Sequence, residues 1–338
     1  MGHIVYLLRY HPNDFKPSAF VPTNVDAVIV KNPTTFAQPS CGYLGRFHIH
    51  MKMFVFCICF LFGSGANAQI ESGTVIVVGL SKNKIVIAAD SRVDKGKCMH
   101  DDNGCKIMAL NDKILFVGVG RVRNGTLWNA YDEARTAFLK TQGTIGNGSG
   151  TDFFRTLTSN WANSMAQIIT ANLSIGEWLR LRDAEPLVIG HFIGLDAGGE
   201  IHMWQGAIRA QPGGTGVEVF WRAFPISDSM QFTAIGENSI ALEFIANKTD
   251  RARKESTQWE QQTATWNQED VDWLKAVRLV DLSIVYAEPE VLCVIGGAID
   301  AIELRSAGNI VWKQLKSNCP QYQSKKNKNP QAIPATQH

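Results

Sequence analysis

The chain lacks an excess of charge of either sign. Its 338 residues include 33 lysines and arginines and 31 aspartates and glutamates, a formal net charge of +2 at pH 7. No basic run is interleaved with aromatic residues, and the lysine-rich stretch 325–328 is interpreted as a solvated tail. Because nucleic-acid binding depends on clustered lysine and arginine, we expect no nucleic-acid partner.

The chain also lacks an apolar run that spans a bilayer, which takes about 20 residues. The run 54–62 follows Met51 and Met53 and leads into the Ala-Asn-Ala cleavage signal at 66–68. This pattern predicts a signal peptide over 51–68, translation starting at Met51 or Met53, and residues 1–50 as a non-native extension. A buried hydrophobic helix is the alternative. The expected location is secreted or periplasmic, with no membrane attachment after signal removal.

Cysteine spacings typical of metal sites are absent. The cysteines that follow the predicted signal are Cys98, Cys105, Cys293 and Cys319. Neither close pair has a C-x2-C spacing, and the glycine-rich stretch 143–150 has no phosphate-loop lysine. We therefore expect no metal and no cofactor, and Cys98 and Cys105 are the candidates for a disulfide across a short loop.

The clearest pattern begins after residue 73. Residues 74–80 and 85–89 are apolar β-type runs around a polar turn, which predicts a hairpin. A turn at Lys82-Asn83 places Thr74 opposite Ser91 and beside Asp90. Neighbouring strands lie about 4.8 Å apart, so the head of the first strand meets a carboxylate.

The remaining pattern predicts strands and helices in alternating groups. Strands are expected at 106–110, 113–120, 187–195, 200–205, 232–235, 297–304 and 309–314. Helices are expected at 127–140, 151–173, 239–246 and 269–287. Residues 206–229 are interpreted as an irregular insertion, 250–267 as a linker or helix extension, and 316–338 as a flexible polar tail. This order favours an α+β fold with antiparallel sheets and helices packed outside them.

Thr74 has a special chemical position if the chain is cut after Gly73. The cut would release a short propeptide, 69–73, and leave a hydroxyl and a free α-amine on one residue. That combination joins a nucleophile to a general base.

Several motifs together resemble those of a known family. Gly73-Thr74, Ala-Ala-Asp-Ser-Arg at 88–92, Gly-Cys-Lys-Ile at 104–107 and Gly-Val-Gly at 118–120 look like a proteasome β-type subunit, an N-terminal-nucleophile (Ntn) hydrolase. The similarity continues more loosely to residue 315. It implies a four-layer αββα sandwich of two antiparallel sheets flanked by helices, over residues 74–315.

The resemblance implies roles for four residues. Thr74 is the nucleophile, Lys106 favours its alkoxide by charge, and Asp90 holds Lys106 in place. The backbone N–H of Gly120 stabilises the oxyanion of the tetrahedral intermediate, a contribution of roughly 3–4 kcal/mol.

The resemblance also implies a small, mostly apolar pocket for the residue before the cut bond. Its lining would be Val93, Gly104, Met108, Gly118 and Val122. Arg121 and Arg123 lie nearby in sequence and favour an acidic group. Glu237 is interpreted either as a substrate-binding acid or as a charge at a helix start.

The chain departs from the family at two supporting positions. It has Gly-Glu-Asn at 236–238 where the family has a serine, and Leu-Cys-Val-Ile at 292–295 in place of Asp-x-x-Ser. Ser239, Glu288 or Glu290 would have to substitute.

Three functions therefore remain. The first is a secreted, self-processing threonine protease or amidohydrolase acting on a peptide or small amide. The others are a catalytically inactive binding or structural protein, and an amidase for a small non-peptide amide closed over by the segments 206–229 and 250–267. The resemblance also implies that the chain can form a homo-oligomer, and the sequence alone does not decide this.

Overall fold

The computed structural model describes residues 25–30, 70–71, 74–94, 100–145, 150–173, 186–211, 216–315 and 319. The predicted signal peptide, Gly73, Cys98 and nearly all of the predicted tail lie outside these residues. Within the described ranges, no helix combines the length and the apolar character that a membrane span requires.

A five-stranded antiparallel sheet carries the head of the first predicted hairpin. Its strands, in spatial order, are β14 (Gln231–Gly236), β3 (Val75–Leu80), β4 (Lys84–Ala89), β15 (Asp300–Arg305) and β16 (Val311–Gln314). Strands β3 and β4 pair with Val77 opposite Ala88, which is the register expected from a turn at Lys82-Asn83. The predicted hairpin is confirmed.

A six-stranded antiparallel sheet faces it. Its strands, in spatial order, are β1 (Val25–Val30), β13 (Val217–Ala223), β12 (Ile201–Ala210), β11 (Val188–Leu195), β8 (Ile114–Gly120) and β7 (Ile107–Ala109). Two small sheets complete the strands, with β10 (Trp128–Asn129), β9 (Arg123–Asn124) and β2 (Ile70–Glu71) in one, and β5 (Val93–Asp94) and β6 (His100–Asp101) in the other.

The interpretation of residues 206–229 as an irregular insertion is wrong. Strand β12 continues to Ala210, and β13 pairs along it with Val219 opposite Ile208. On β13, Val217, Val219 and Trp221 are buried at every second position, so this segment has the period of a half-buried strand.

Five helices are described. They are α1 (Ala130–Ile145), α2 (Thr151–Asn172), α3 (Ser239–Ile245), α4 (Asp250–Thr263) and α5 (Gln268–Val285), with a short 3-10 helix at Val291–Cys293. The open choice for 250–267 is settled as a helix over Asp250–Thr263, which is α4. Its N-terminus is capped by the Thr249 side chain, which accepts a hydrogen bond from the Ala252 N–H.

The packing has layers of helix, sheet, sheet and helix. Apolar side chains of the two large sheets meet in one core, which includes Ile76, Val78, Leu115 and Ile193. A second core joins α1 and α2 to the outer face of the six-stranded sheet, and a third joins α3, α4 and α5 to the outer face of the five-stranded sheet. The expected α+β class with two antiparallel sheets is confirmed.

Two glycines let α2 approach the six-stranded sheet closely. A Cβ on Gly190 would lie 2.5 Å from Trp161 Cη2, and a Cβ on Gly206 would lie 3.0 Å from Trp161 Cζ3. Trp161 is fully buried there, and its indole N–H donates to the Ala130 carbonyl at 3.0 Å. This close contact fixes the position of α2 and, through Ala130, the start of α1.

A histidine lies in the core between the two large sheets. His191 is 1% exposed, and it shares a face of β11 with Ile193. Its Nδ1 atom has no hydrogen-bond partner. Burial, together with the nearby charge of Arg222, lowers the pKa of the His191 imidazole from 6.5 to about 3.

His191 should make the fold acid-sensitive. Its imidazole stays neutral in the folded protein, whereas the unfolded chain takes up a proton below pH 6.5. The stability that this residue contributes is therefore complete above pH 6.5 and is lost as the pH falls from there towards 3. Urea unfolding should show a loss of about 2 kcal/mol between about pH 7.5 and about pH 5 that His191→Leu does not show. An identical loss in wild type and variant would contradict this assignment.

Candidate active site

Thr74 and Asp90 meet at the open end of the β3–β4 hairpin. The Thr74 hydroxyl donates to Asp90 Oδ1 at 2.7 Å, and the Val75 N–H donates to the same oxygen at 2.8 Å. Thr74 is 2% exposed and Asp90 is fully buried. The hairpin register thus brings together the predicted nucleophile and the predicted carboxylate.

The second oxygen of Asp90 is held by two backbone donors. The Arg92 N–H lies 3.2 Å from Oδ2, and the Gly296 N–H lies 3.0 Å from it. Gly296 has a φ of 143°, and a Cβ there would lie 2.8 Å from Arg92 Cζ. This conformation and this space both favour glycine. The hydrogen bond from its N–H to Asp90 makes Gly296 part of the site.

Burial raises the pKa of the Asp90 carboxyl above its ordinary value. The nearby Lys106 ammonium and the hydrogen bonds from Thr74, Gly296 and Val75 act in the opposite direction. Lys106 is itself only 4% exposed. The structure therefore places Thr74, Asp90 and Lys106 in one buried cluster, and their catalytic roles stay a prediction.

Lys106 follows a loop that is attached to the residues after Asp90. The Gly104 N–H donates to the Ser91 carbonyl at 2.9 Å, and the Ser91 hydroxyl donates to the Asp102 carbonyl at 2.6 Å. On the other side, the Tyr131 hydroxyl donates to the Lys106 carbonyl at 3.1 Å. Tyr131 was not predicted as part of the site, because its contact depends on how α1 packs.

Arg92 connects three loops around the cluster. Its Nε and Nη2 donate to the two carboxylate oxygens of Asp102 at 2.6 and 2.9 Å, and its Nη1 donates to the Leu292 carbonyl at 2.6 Å. The hydrogen bond to Asp102 raises the pKa of the Arg92 guanidinium above its ordinary value. The sequence analysis did not predict this role of Arg92. A bidentate pair between an arginine and a carboxylate is a common way to fix two loops together.

The Gly120 N–H is directed by the hydrogen-bond alternation along β8. At one end of β11 the Leu195 N–H donates to the Lys113 carbonyl, and just before its other end the Leu187 carbonyl accepts from the Arg121 N–H. On the other side, the Leu110 N–H, beside β7, donates to the Ile114 carbonyl. The backbone N–H and C=O groups of odd-numbered β8 residues therefore point towards β11, and those of even-numbered residues point towards β7. The N–H of Gly120 points to the β7 side, where Lys106 precedes the strand.

The predicted pocket residues lie in two contacting pairs. A Cβ on Gly118 would lie 3.0 Å from Val122 Cγ1, and a Cβ on Gly104 would lie 2.3 Å from Val93 Cγ2. Val93 and Val122 are each 8% exposed. Tyr131 Oη, 3.4 Å from the Gly118 carbonyl, links the first pair to Lys106.

Met108 lies on the neighbouring strand. It pairs in register with Phe116, and its Sδ atom lies 3.9 Å from Arg135 Nη2. A substrate pocket lined by the five predicted residues, Val93, Gly104, Met108, Gly118 and Val122, stays a prediction.

Glu237 touches the nucleophile through its backbone. Its N–H donates to the Thr74 carbonyl at 2.7 Å, while the residue is exposed. Gly236 before it has a φ of 86°, and a Cβ there would lie 2.1 Å from the Thr74 carbonyl oxygen. Of the proposed substitutes, Glu288, Glu290 and Ser239 are also exposed.

The segment before Thr74 runs along β9. In the antiparallel pairing of β2 with β9, Ile70 lies opposite Asn124 and Glu71 opposite Arg123. Gly73, the predicted cleavage residue, lies outside the described residues.

The expected disulfide between Cys98 and Cys105 is wrong. Cys105 is bonded to Cys319, with their Cα atoms 5.5 Å apart, and Cys293 is also disulfide-bonded. Cys319 is 7% exposed, so this position of the predicted flexible tail is anchored. Sequence proximity favoured the short loop, whereas the fold brings two cysteines together across a separation of 214 residues.

One cluster in the described ranges has ligand types suited to a metal. Asp196, Glu200 and His202 lie at the β11–β12 turn, with ligand atoms within 4.8 Å of one another. Asp196 Oδ2 is 3.2 Å from His202 Nε2, and the Glu200 N–H donates to Asp196 Oδ1 at 2.9 Å. The turn follows Leu195, at the opposite end of β11 from Val188, which pairs with Gly120.

Comparisons with known proteins add one structural likeness. No family model matches the chain, and no curated protein matches it. Among solved structures it is similar to an Anbu (Gly-1) mutant from Hyphomicrobium sp. strain MC1, with 12% identity, a TM-score of 0.44, and coverage of 73% of this chain and 89% of that one. At this identity and overlap, the likeness by itself decides neither fold nor function.

The buried pair of Asp90 and Lys106 should be coupled in stability. Asp90→Asn leaves the Lys106 charge without its counter-charge, and we expect urea unfolding to show a loss of about 3–5 kcal/mol. Lys106→Met should also destabilise, and the double variant should lose less than the sum of the two single losses. Asp112→Asn, at an exposed turn position, is the control and should lose less than about 0.5 kcal/mol. Additive losses would show that the two groups do not interact.

Proposed function

We propose that the chain is a threonine-type hydrolase of the Ntn class that cleaves amide or peptide bonds and matures by cutting itself between Gly73 and Thr74. The observation that carries this proposal is the Thr74 hydroxyl, which donates at 2.7 Å to a buried carboxylate that also interacts with Lys106. The motif resemblance to proteasome β-type subunits supports it.

The proposed self-cleavage uses Thr74 as the attacking residue and Asp90 as the base. Thr74 Oγ attacks the carbonyl carbon of Gly73 while its proton passes to Asp90. The raised pKa of the Asp90 carboxyl makes it a better base than an ordinary aspartate. The bond from that carbon to the Thr74 nitrogen breaks as the nitrogen takes up that proton from Asp90, which leaves Gly73 joined to Thr74 Oγ by an ester. Water then hydrolyses the resulting ester, leaving a carboxylate on Gly73 and a free α-amine on Thr74.

Turnover uses that new amine as the base. An α-amine has an ordinary pKa near 8, so it can take the proton from Thr74 Oγ at neutral pH. Lys106 favours the alkoxide by charge, and the Gly120 N–H stabilises the oxyanion of the tetrahedral intermediate. An acyl-threonine forms as the leaving amine departs, and water hydrolyses it to restore Thr74.

The proposed substrates are peptides or small amides. The pairs Val93–Gly104 and Gly118–Val122 would accept a small apolar group beside the cut bond. The amidase alternative for small non-peptide amides loses part of its basis, because residues 217–223 form strand β13 and 250–263 form α4. A homo-oligomer stays a prediction from the resemblance.

The proposed location is secreted or periplasmic. Two observations support it, namely the signal-like pattern over 51–68 and the disulfide between Cys105 and Cys319. Disulfides persist mainly in oxidising compartments.

A non-catalytic binding or structural protein on the same fold is the second candidate. The two departures favour it, since Glu237 stands where the family has a serine hydroxyl and Leu292 where it has an aspartate. Glu237 contributes its backbone N–H to Thr74. N-terminal sequencing and β-lactone labelling of wild type and Thr74→Ala separate the two candidates.

Thr74→Ala should abolish self-cleavage and turnover, because it removes the attacking oxygen. Intact mass and N-terminal sequencing of the secreted protein should show the wild type starting at Thr74 and the variant retaining the upstream residues. A β-lactone should label the wild type on Thr74 and should not label the variant. Thr233→Ala, on the neighbouring strand β14, is the matched control and should behave as wild type.

Two results would overturn the proposal. Normal cleavage after Gly73 in Thr74→Ala would show that another protease processes the chain. An unprocessed, unlabelled wild type would favour the non-catalytic candidate.

A further inference from the structure

A covalent bond lies directly beside the site lysine. Cys105 precedes Lys106 in the chain and is bonded to Cys319, 214 residues away in sequence. The Gly104 N–H, one residue earlier, bonds to the Ser91 carbonyl at 2.9 Å. Residues 104–106 are therefore held by one backbone hydrogen bond and one disulfide at consecutive positions.

The far end of the bond is anchored next to Asp90. Cys319 is 7% exposed, and its Sγ atom lies 3.6 Å from Asp300 Oδ2. Asp300 is 1% exposed and begins β15, where it pairs in register with Ala89. Ala89 immediately precedes Asp90, so the buried end of the disulfide contacts the strand beside the Lys106 counter-charge.

The position of Lys106 matters because both charges are buried. A buried ammonium is stable only against a well-placed counter-charge, and the attraction weakens as the distance grows. The flexible stem of a lysine does not fix its ammonium by itself, but Lys106 is 4% exposed, so the buried side chain is confined by its surroundings and moves with its backbone. A loop that moves away from Ser91 would carry the charge away from Asp90 and Thr74.

We propose that the Cys105–Cys319 disulfide is a positioning device that holds the Lys106 ammonium against Asp90 and Thr74. Its catalytic consequence depends on the function proposed above, because it assigns Lys106 a role in activating Thr74. Cys105 and Cys319 touch no reacting atom and act through Lys106.

The first test needs no turnover. The Lys106 charge lowers the pKa of the Asp90 carboxyl. A Lys106 ammonium that moves away from Asp90 should therefore raise the titration midpoint of that carboxyl. Carbon-13 NMR of the full chain would follow the Asp90 carboxyl, assigned with Asp90→Asn, in wild type, Cys105→Ser/Cys319→Ser and Lys106→Met. Arg92 also faces Asp90 and is kept in every protein.

The expected result is a raised midpoint in both variants and no further rise when they are combined. Cys319→Ser alone should match the double cysteine variant, because it breaks the bond and leaves residue 105 unchanged. An unchanged midpoint without the disulfide would overturn the proposal. If the cysteine variant does not fold, reduction of the folded wild type by a dithiol serves as the second measurement. Because Cys293 is also disulfide-bonded, alkylation and mass mapping have to show free thiols at Cys105 and Cys319, and Cys293→Ser is the control.

The second test is the rate at which a β-lactone acylates Thr74. Loss of the disulfide should slow it roughly tenfold, the factor that corresponds to one unit of lost pKa interaction. In a Lys106→Met background the same loss should have no further effect, whereas a general structural role would slow both backgrounds equally. Equal slowing in both backgrounds would overturn the positioning role.

The two proposals fail in different ways. A wild type that shows the NMR coupling but never reacts with the lactone would refute the hydrolase and leave the positioning role. A wild type that reacts, with an Asp90 midpoint indifferent to the disulfide, would refute the positioning role and leave the hydrolase.

Discussion

A fully buried carboxylate organises this protein. Asp90 accepts four hydrogen bonds, from the Thr74 hydroxyl and from the N–H groups of Val75, Arg92 and Gly296. An unpaired charge in this environment would cost several kcal/mol, so each donor has to be present in the folded state. Because the donors come from β3, from the chain after β4 and from the turn before β15, these segments are required to meet at one point.

Packing of the layered core fixes the register of β3 and β4, and with it the contact between Thr74 and Asp90. On β3, Ile76 and Val78 face the core between the sheets, while Val75 and Val77 face the helices α3 to α5. A slip of one residue between β3 and β4 would exchange these faces, so the hairpin register is strongly specified. The register that satisfies the core is the one that brings Thr74 to Asp90.

Much of this fold was predictable because its signals are local. The β3–β4 hairpin and α2 follow from alternating or three-and-four-spaced apolar residues. Strand β13 was missed because its alternation is short. Helix α4 was left open because it is polar almost throughout, with Ala252 its buried residue. The pairing of Cys105 with Cys319 could not be deduced from spacing, which does not determine disulfide connectivity.

By itself, the sequence determined that Thr74 lies beside Asp90, since a hairpin and a side-chain period of two fix that contact over 16 residues. Motif resemblance added Lys106 and Gly120 as candidates without placing them. Only the tertiary structure decided that Gly296, 206 residues from Asp90, completes its hydrogen bonds, and that Cys319 anchors the loop before Lys106. Contacts at such separations depend on how sheets and helices pack, because no local propensity encodes them.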